Sequence, residues 1–164
     1  MNRRAVIAAG VVGISAAAIN RSEGADAPDQ SEADLEKIKE LLQAHDKAMT
    51  HHDLEGVLAA LDDDGAVMGT GPGEMWQGKE ELKVAYEHFF MVYDKGKQDF
   101  KYKFRVGGLS AEMGWLMASG DVTGEKDGKA FSYPLNVSVV VDKSGEDWKI
   151  AAMHFSTLTR DNSE

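Results

Sequence analysis

The sequence predicts an α+β fold in which helices from the first half pack against a curved antiparallel sheet from the second half. Between residues 35 and 93, apolar side chains mostly recur at three- and four-residue spacing, which is typical of amphipathic helices. After Gly96 the apolar period changes to two, which indicates successive strands. With 164 residues, 43% of them hydrophobic, the chain has enough apolar content for one core. Helices followed by a meander favour two layers around that core.

The first predicted helix lies in "APDQSEADLEKIKELLQAHDKAMTHHD". One stripe at helical spacing contains Leu35, Ile38, Leu42, His45 and Met49. Ser31 is the expected N-cap, because Asp34 three residues later completes an approximate capping box. A second, short helix is predicted in "DLEGVLAAL" and is expected to end at the solvated segment "DDDG".

The remaining elements follow in order. "AVMGT" is predicted as a short strand, "GPG" as a turn and "KEELKVAYEHFFMVYDKG" as a third helix. The segments predicted to form the meander are "QDFKYKFRVGG", "GWLMASGDVTGE", "KAFSYPLNVSVVVD" and "DWKIAAMHFSTLT". The turns "KDGK" and "DKSGED" join the last three of these segments.

Residues 1–27 have the pattern of an export signal, and residues 28–164 are predicted to form a single domain with its core at 31–159. A basic start precedes an apolar run at residues 5–19, and the segment ends in Ala-Asp-Ala. That run is shorter than the roughly 20 residues of a membrane-spanning helix. The Arg3-Arg4 pair suggests the twin-arginine route, and cleavage after Ala18 is an alternative. We therefore expect a periplasmic or secreted protein, with no membrane association after signal removal.

Charge and composition exclude several classes of partner and site. The formal net charge of −10 would repel nucleic acid. The chain has no cysteine, so disulfides and thiolate nucleophiles are excluded. Its five histidines lack the spacing of a metal site, so no metal site is predicted. No cofactor is indicated by any motif.

Two strings, "HHDLEGVLAALDDDGAVMGTGPGEMWQGKEEL" and "GEDWKIAAMHFSTL", resemble the SnoaL-like branch of the nuclear transport factor 2-like superfamily, which includes ketosteroid isomerases. The resemblance covers roughly residues 31–159. It implies a cone whose pocket lies between the first helix and the concave face of the sheet. It also implies homodimerisation through the exposed face of that sheet. Members of this superfamily differ widely in function, so the resemblance is specific for the fold alone.

Comparison with the isomerases gives the first candidate site residues. The oxyanion-binding tyrosine of those enzymes matches His45, the oxyanion-binding acid matches Asn136 and the carboxylate base matches Gly69. Because all three differ, we expect no isomerisation of 3-ketosteroids by that mechanism. His45 and Asn136 could still donate hydrogen bonds to a ligand. His45 fits a core histidine bonded to the backbone equally well, and Asn136 a polar residue satisfied by neighbouring strands.

His154 alternates with Ala152 and Ser156, whereas Met153 and Phe155 occupy the other face of the last strand. The face with small and polar residues is the expected cavity wall, which makes His154 a second candidate for catalysis; a core or interface histidine is the alternative. Three aromatic residues are also expected to reach the cavity, although each fits an ordinary core position as well: Trp76, Tyr86 and Trp115.

The sequence therefore favours a protein that binds a small, largely apolar molecule in its cone. A catalytic version would perform proton transfer of the isomerase, cyclase or lyase type, with His45 or His154 as the base. The alternative is a non-catalytic association module that oligomerises through its sheet. A connected cavity lined by polar residues would distinguish the first function from the second.

Overall fold

The computed structural model describes residues 19–21 and 28–157, with side chains described for residues 32–157. The helices are α1 (Pro28–Thr50), α2 (Leu54–Ala60) and α3 (Gly78–Val92). The strands are β1 (Ile19–Arg21), β2 (Leu61–Met68), β3 (Met75–Gln77), β4 (Asp99–Leu109), β5 (Met113–Lys126), β6 (Lys129–Ser144) and β7 (Asp147–Ser156). The fold is α+β, as predicted, with three helices packed on one sheet.

The sheet has the strand order β1-β4-β5-β6-β7-β2-β3. Strands β4 to β7 form the predicted antiparallel meander. The sheet as a whole is mixed, because β2 runs parallel to β7 and β1 runs parallel to β4. The last strand of the meander therefore lies in the interior of the sheet, between β6 and β2.

Two local boundaries differ from the prediction. Ser31 lies inside α1, which begins at Pro28, so it does not cap that helix. The segment "DDDG" belongs to β2, where the register with β7 shifts between Leu61 and Ala66. This irregularity accommodates the exposed Asp63 and Asp64 at a point where regular alternation would turn one of them towards the core.

The helices cover one face of the sheet, and the buried apolar residues of β2 and of β4 to β7 point towards them. Strand β6 contributes Leu135, Val137, Val139 and Val141, all at most 3% exposed. Strand β7 contributes Ile150, Met153 and Phe155, and α3 contributes Leu82 and Phe89. We call the helix-covered face the inner face and the opposite one the outer face.

A partly buried ion pair joins α1 to strands β6 and β7 of the sheet. Asp34 is 3% exposed and accepts hydrogen bonds from Lys143 Nζ and Trp148 Nε1, each at 3.1 Å. Burial tends to raise the pKa of this carboxyl group, but the bonds from Trp148 and Lys143 outweigh burial and hold it below its usual value. The contact joins residues that are far apart in the sequence, so it helps to fix the helix on the sheet.

Most of the predicted export signal, residues 1–27, lies outside the described residues. The exception is Ile19–Arg21, whose backbone pairs with Gly107–Leu109 on the edge of β4. Within the described part of the chain, no helix has both the length and the apolar character needed to span a bilayer.

Candidate functional site

Buried polar side chains from two helices meet inside the cone. His45, on α1, is 2% exposed, and Tyr86, on α3, is 1% exposed. Their ring centroids lie 6.3 Å apart, and the rings meet edge to face at 73°. The predicted inward orientation of both residues is therefore confirmed. Helical spacing placed each of them on an apolar stripe, and the two rings meet where both helices face the core.

Asp46 and Tyr102 extend this group towards the sheet. Asp46 Oδ1 lies 3.8 Å from His45 Nδ1, and the carboxyl group is close enough to Tyr102 to affect its pKa. Tyr102 comes from β4, and the guanidinium of Arg105 stacks 4.9 Å from the centre of its ring. We call His45, Asp46, Tyr86 and Tyr102 the interior polar cluster. It spans α1, α3 and β4.

Within the interior polar cluster, His45 Nε2, Tyr86 Oη and Tyr102 Oη are buried without a hydrogen-bond partner among the described residues. Gln98, 5% exposed at the start of β4, also has both polar side-chain atoms unpartnered within the described part of the chain. Each such group costs about 1–3 kcal/mol when it is left without a bond. Native proteins keep few of them, so a concentration in one region indicates a place where polar atoms of a ligand or water are bound.

Burial determines the protonation of the two phenols. It raises the pKa of Tyr86 far above its usual value. Burial also raises the pKa of Tyr102, and the nearby Asp46 raises it further, against a smaller opposing effect of Arg105. Both hydroxyl groups therefore stay protonated at neutral pH and can donate hydrogen bonds to a carbonyl or alkoxide oxygen. His45 Nε2 can accept or donate a hydrogen bond, according to its tautomer.

Tyr93, directly after the end of α3, lies near the glycine-rich turn that contains Glu74. Tyr93 is hydrogen-bonded to Tyr133 and stacks at an angle on Phe89. Glu74 also raises the pKa of Tyr93, after the larger effect of burial. The Glu74 carboxylate accepts a hydrogen bond from the Gly71 amide at 2.7 Å. A Cβ atom at Gly69 would lie 2.5 Å from Glu74 Oε2, so this carboxylate occupies the space beside the predicted base position.

The structure corrects the predicted positions of His154 and Asn136. Both side chains are exposed on the outer face of the sheet, away from the interior polar cluster. On β7 the inner face is formed by Met153 and Phe155, which are buried. The small and polar face of β7 does line a hollow, an open groove of about 700 Å³ that includes Ala152 and His154. This groove lies on the face opposite the helices, because alternation separates the two faces of a strand without showing which one the helices cover. Asn136 Nδ2 lies 3.5 Å from Ser156 Oγ, its neighbour on that outer face.

The two tryptophans lie at different places on the sheet. Trp115 is 44% exposed on the outer face of β5, where its indole lies over Gly108. It also borders a narrow apolar cavity beside Ile38 and Leu42, and it lies outside the interior polar cluster. Trp76, on the edge strand β3, pairs with the buried Val67 and is half-buried against the core. It lies at the rim of the sheet and outside the interior polar cluster.

Sequence reasoning missed Asp46, Gln98 and Tyr102. Gln98 and Tyr102 each lie two residues from the buried Phe100 and so share its face of the strand. Period two in "QDFKYKF" is therefore the signal that could have placed them inward. Asp46 gave no such signal, because it lies beside the apolar stripe of α1 and is buried by the sheet. Among the described side chains, no three His, Asp or Glu residues are arranged to hold a metal ion.

Hollows among the described residues lie outside the interior polar cluster, and His45, Tyr86 and Tyr102 are absent from the walls of the two that follow. A narrow apolar cavity of about 20 Å³ lies between α1 and strands β4 to β6, with Ile38, Leu42 and Val141 in its wall. It has room for about one water molecule. A much larger, open groove of about 700 Å³ lies on the outer face, where β6, β7, β2 and β3 run side by side. We call it the outer groove.

The family model for the SnoaL-like domain matches residues 38–160. No curated protein matches the chain. Among solved structures, the ketosteroid isomerase-like protein of Erwinia carotovora atroseptica SCRI1043 is 23% identical, with a TM-score of 0.62 over 76% of this chain and 95% of that one. A nuclear transport factor 2-like protein of unknown function from Pseudomonas putida KT2440 is 14% identical, with a TM-score of 0.67 over 81% and 93%. These likenesses show the fold.

Proposed function

This chain belongs to the SnoaL-like domain family, and on that premise we propose that it binds a small, largely apolar molecule inside its cone. The single observation that carries the proposal is the set of buried, unpartnered polar atoms of His45, Tyr86 and Tyr102. Apolar residues of the inner face surround these atoms and would hold the body of the ligand. The hydroxyl groups and the imidazole would fix the position of one oxygen atom on it.

A catalytic version of this function is proton transfer next to a carbonyl group. The two phenols would donate hydrogen bonds to the oxygen as negative charge develops on it, and preorganised donors of this kind stabilise an enolate strongly. His45 Nε2 would take or return the proton, a role that typically contributes about 10²- to 10⁴-fold. Asp46, 3.8 Å from His45 Nδ1, would stabilise the imidazolium form. These roles define an isomerase, cyclase or lyase.

Two histidine variants, one inside the cone and one at the surface, test the proposal. Native mass spectrometry of the protein purified from its own cells would detect a retained small molecule, and each variant would be compared with the wild type. Replacing His45→Gln should lower occupancy about 2- to 10-fold, the value of one hydrogen bond. The control His51→Gln, at an exposed position, should leave it unchanged. Equal retention by wild type and His45→Gln would contradict binding at the interior polar cluster.

The proposal includes export from the cytoplasm, which the basic start and short apolar run of residues 1–27 support. Amino-terminal sequencing of the native protein is the direct measurement. We expect the first residue to lie near Pro28, and a full-length cytoplasmic product would refute export.

The second candidate function is a non-catalytic association module. It is favoured by exposed apolar side chains on the outer face of β5, where Met113, Trp115 and Met117 are each 44–53% exposed. A face of this kind is commonly buried against another subunit. Light scattering at micromolar concentration should give the mass of a dimer, and Trp115→Lys should shift it towards the monomer. A monomeric wild type would remove the support for this function.

A further inference from the structure

A row of sulfur and nitrogen ligands crosses three strands on the outer face. Met68, on β2, is the Cα partner of His154 on β7 and of Met75 on β3. Residues in register on neighbouring strands point to the same side of a sheet. His154 is exposed, and Met68 and Met75 are 42% and 65% exposed, so all three side chains lie on the solvent side.

The register and the usual spacing of strands place these three side chains within reach of a common point. Neighbouring strands lie about 4.8 Å apart, and Cβ atoms of directly opposed residues are about 4.5–5.5 Å apart. Met68 is the middle member of the row, and His154 and Met75 flank it on either side. Long, unbranched methionine side chains adapt easily to a common point. All three residues line the outer groove, which leaves space for a bound ion above Met68.

The ligand types determine the class of ion. Thioether sulfur is a soft ligand that selects Cu(I) among the biological metals, and imidazole also suits copper. Hard ions such as Mg²⁺ and Ca²⁺ require several oxygen ligands, and no group of three His, Asp or Glu in the described residues provides a conventional site. We propose that Met68, Met75 and His154 bind one soft monovalent cation, Cu(I) or its analogue Ag(I), in the outer groove.

The surrounding charge favours a cation. Asp64 and Glu81 also line the outer groove, and the chain carries a formal net charge of −10. The field of such a surface raises the local concentration of positive ions. The site is independent of the function proposed for the cone, because the sheet separates it from the interior polar cluster. It departs from the sequence-based prediction of no metal, which considered histidine spacing and gave no weight to thioethers.

The experiment is a competition for Cu(I) under anaerobic conditions. The purified protein is titrated against the bathocuproine disulfonate complex of Cu(I), whose absorbance falls as the metal is transferred. We expect one Cu(I) per chain. Loss of a residue that merely supports a metal ligand costs about 10- to 100-fold in affinity. Removing a direct ligand in Met68→Leu or His154→Leu should therefore weaken binding by at least about 10-fold.

Met91→Leu is the matched control, because Met91 is 77% exposed on α3, away from the row. It should bind Cu(I) as the wild type does. Equal affinity of the wild type and Met68→Leu, or an equal loss in Met91→Leu, would overturn the proposal. Far-UV circular dichroism checks folding, and Met75→Leu on the edge strand replaces Met68→Leu if that variant unfolds. Competition by Zn(II) at equal affinity would also overturn it, since a soft site must prefer Cu(I).

Discussion

Replacing Tyr86→Phe should stabilise the protein and weaken its ligand binding at the same time. The Tyr86 hydroxyl is buried and has no hydrogen-bond partner among the described residues. Such a group costs about 1–3 kcal/mol in the free protein. Removing one oxygen atom also leaves a small void, which offsets part of the gain. We therefore expect the free energy of unfolding to rise by about 0.5–2 kcal/mol.

The assay is thermal unfolding without added ligand. For a chain of this size, 1 kcal/mol corresponds to about 2–4 °C in Tm. The expected gain for Tyr86→Phe is therefore about 1–8 °C. Ligand occupancy, measured by native mass spectrometry, should fall in the same variant, because a donor to the bound oxygen has been removed.

Tyr133→Phe is the control, because its change in the free energy of unfolding should have the opposite sign. The hydroxyl groups of Tyr133 and Tyr93 are hydrogen-bonded to each other, so Tyr133→Phe should lose about 0.5–1.5 kcal/mol. The reasoning would be refuted if Tyr86→Phe were destabilised as much as Tyr133→Phe. That result would mean that Tyr86 has a partner within the fold and that its hydroxyl is not reserved for a ligand.

Three further outcomes are expected. Asp34→Ala should lose about 1.5–3 kcal/mol in urea unfolding, because Trp148 Nε1 and Lys143 Nζ would lose their charged acceptor; a loss below about 0.5 kcal/mol would contradict this. Since the folded pKa of Asp34 is lowered, its contribution should be complete above about pH 4 and should fall as the pH drops through the folded pKa, so the wild type and Asp34→Ala should converge in acid. The protein should not isomerise a Δ5-3-ketosteroid, as followed by absorbance of the conjugated product, because Asn136 points away from the cone; turnover that is lost in Glu74→Gln would disprove this.

The sequence predicted the positions of the helices and strands better than it predicted which face of each strand the helices cover. Helical spacing located His45 and Tyr86 inside the cone, because an amphipathic helix has only one apolar stripe to bury. A strand has two faces, and both faces of β7 contain residues compatible with a cavity wall. The position of His154 therefore depended on which face the helices cover, and that is a property of tertiary packing. Tyr102 was missed for a related reason: period two places it on the same face as Phe100, but alternation does not show that the helices cover that face of β4.

The position of β7 inside the sheet has a consequence for synthesis of the protein. Strand β2 emerges from the ribosome early, but its parallel neighbour β7 follows all the other strands along the chain. Until β7 is made, one long edge of β2 has no strand beside it, and the loop to be closed spans most of the domain. Pairings of this range fold slowly and leave nascent chains prone to aggregation. A newly made chain would thus depend on chaperones until its final strand joins the two halves of the sheet.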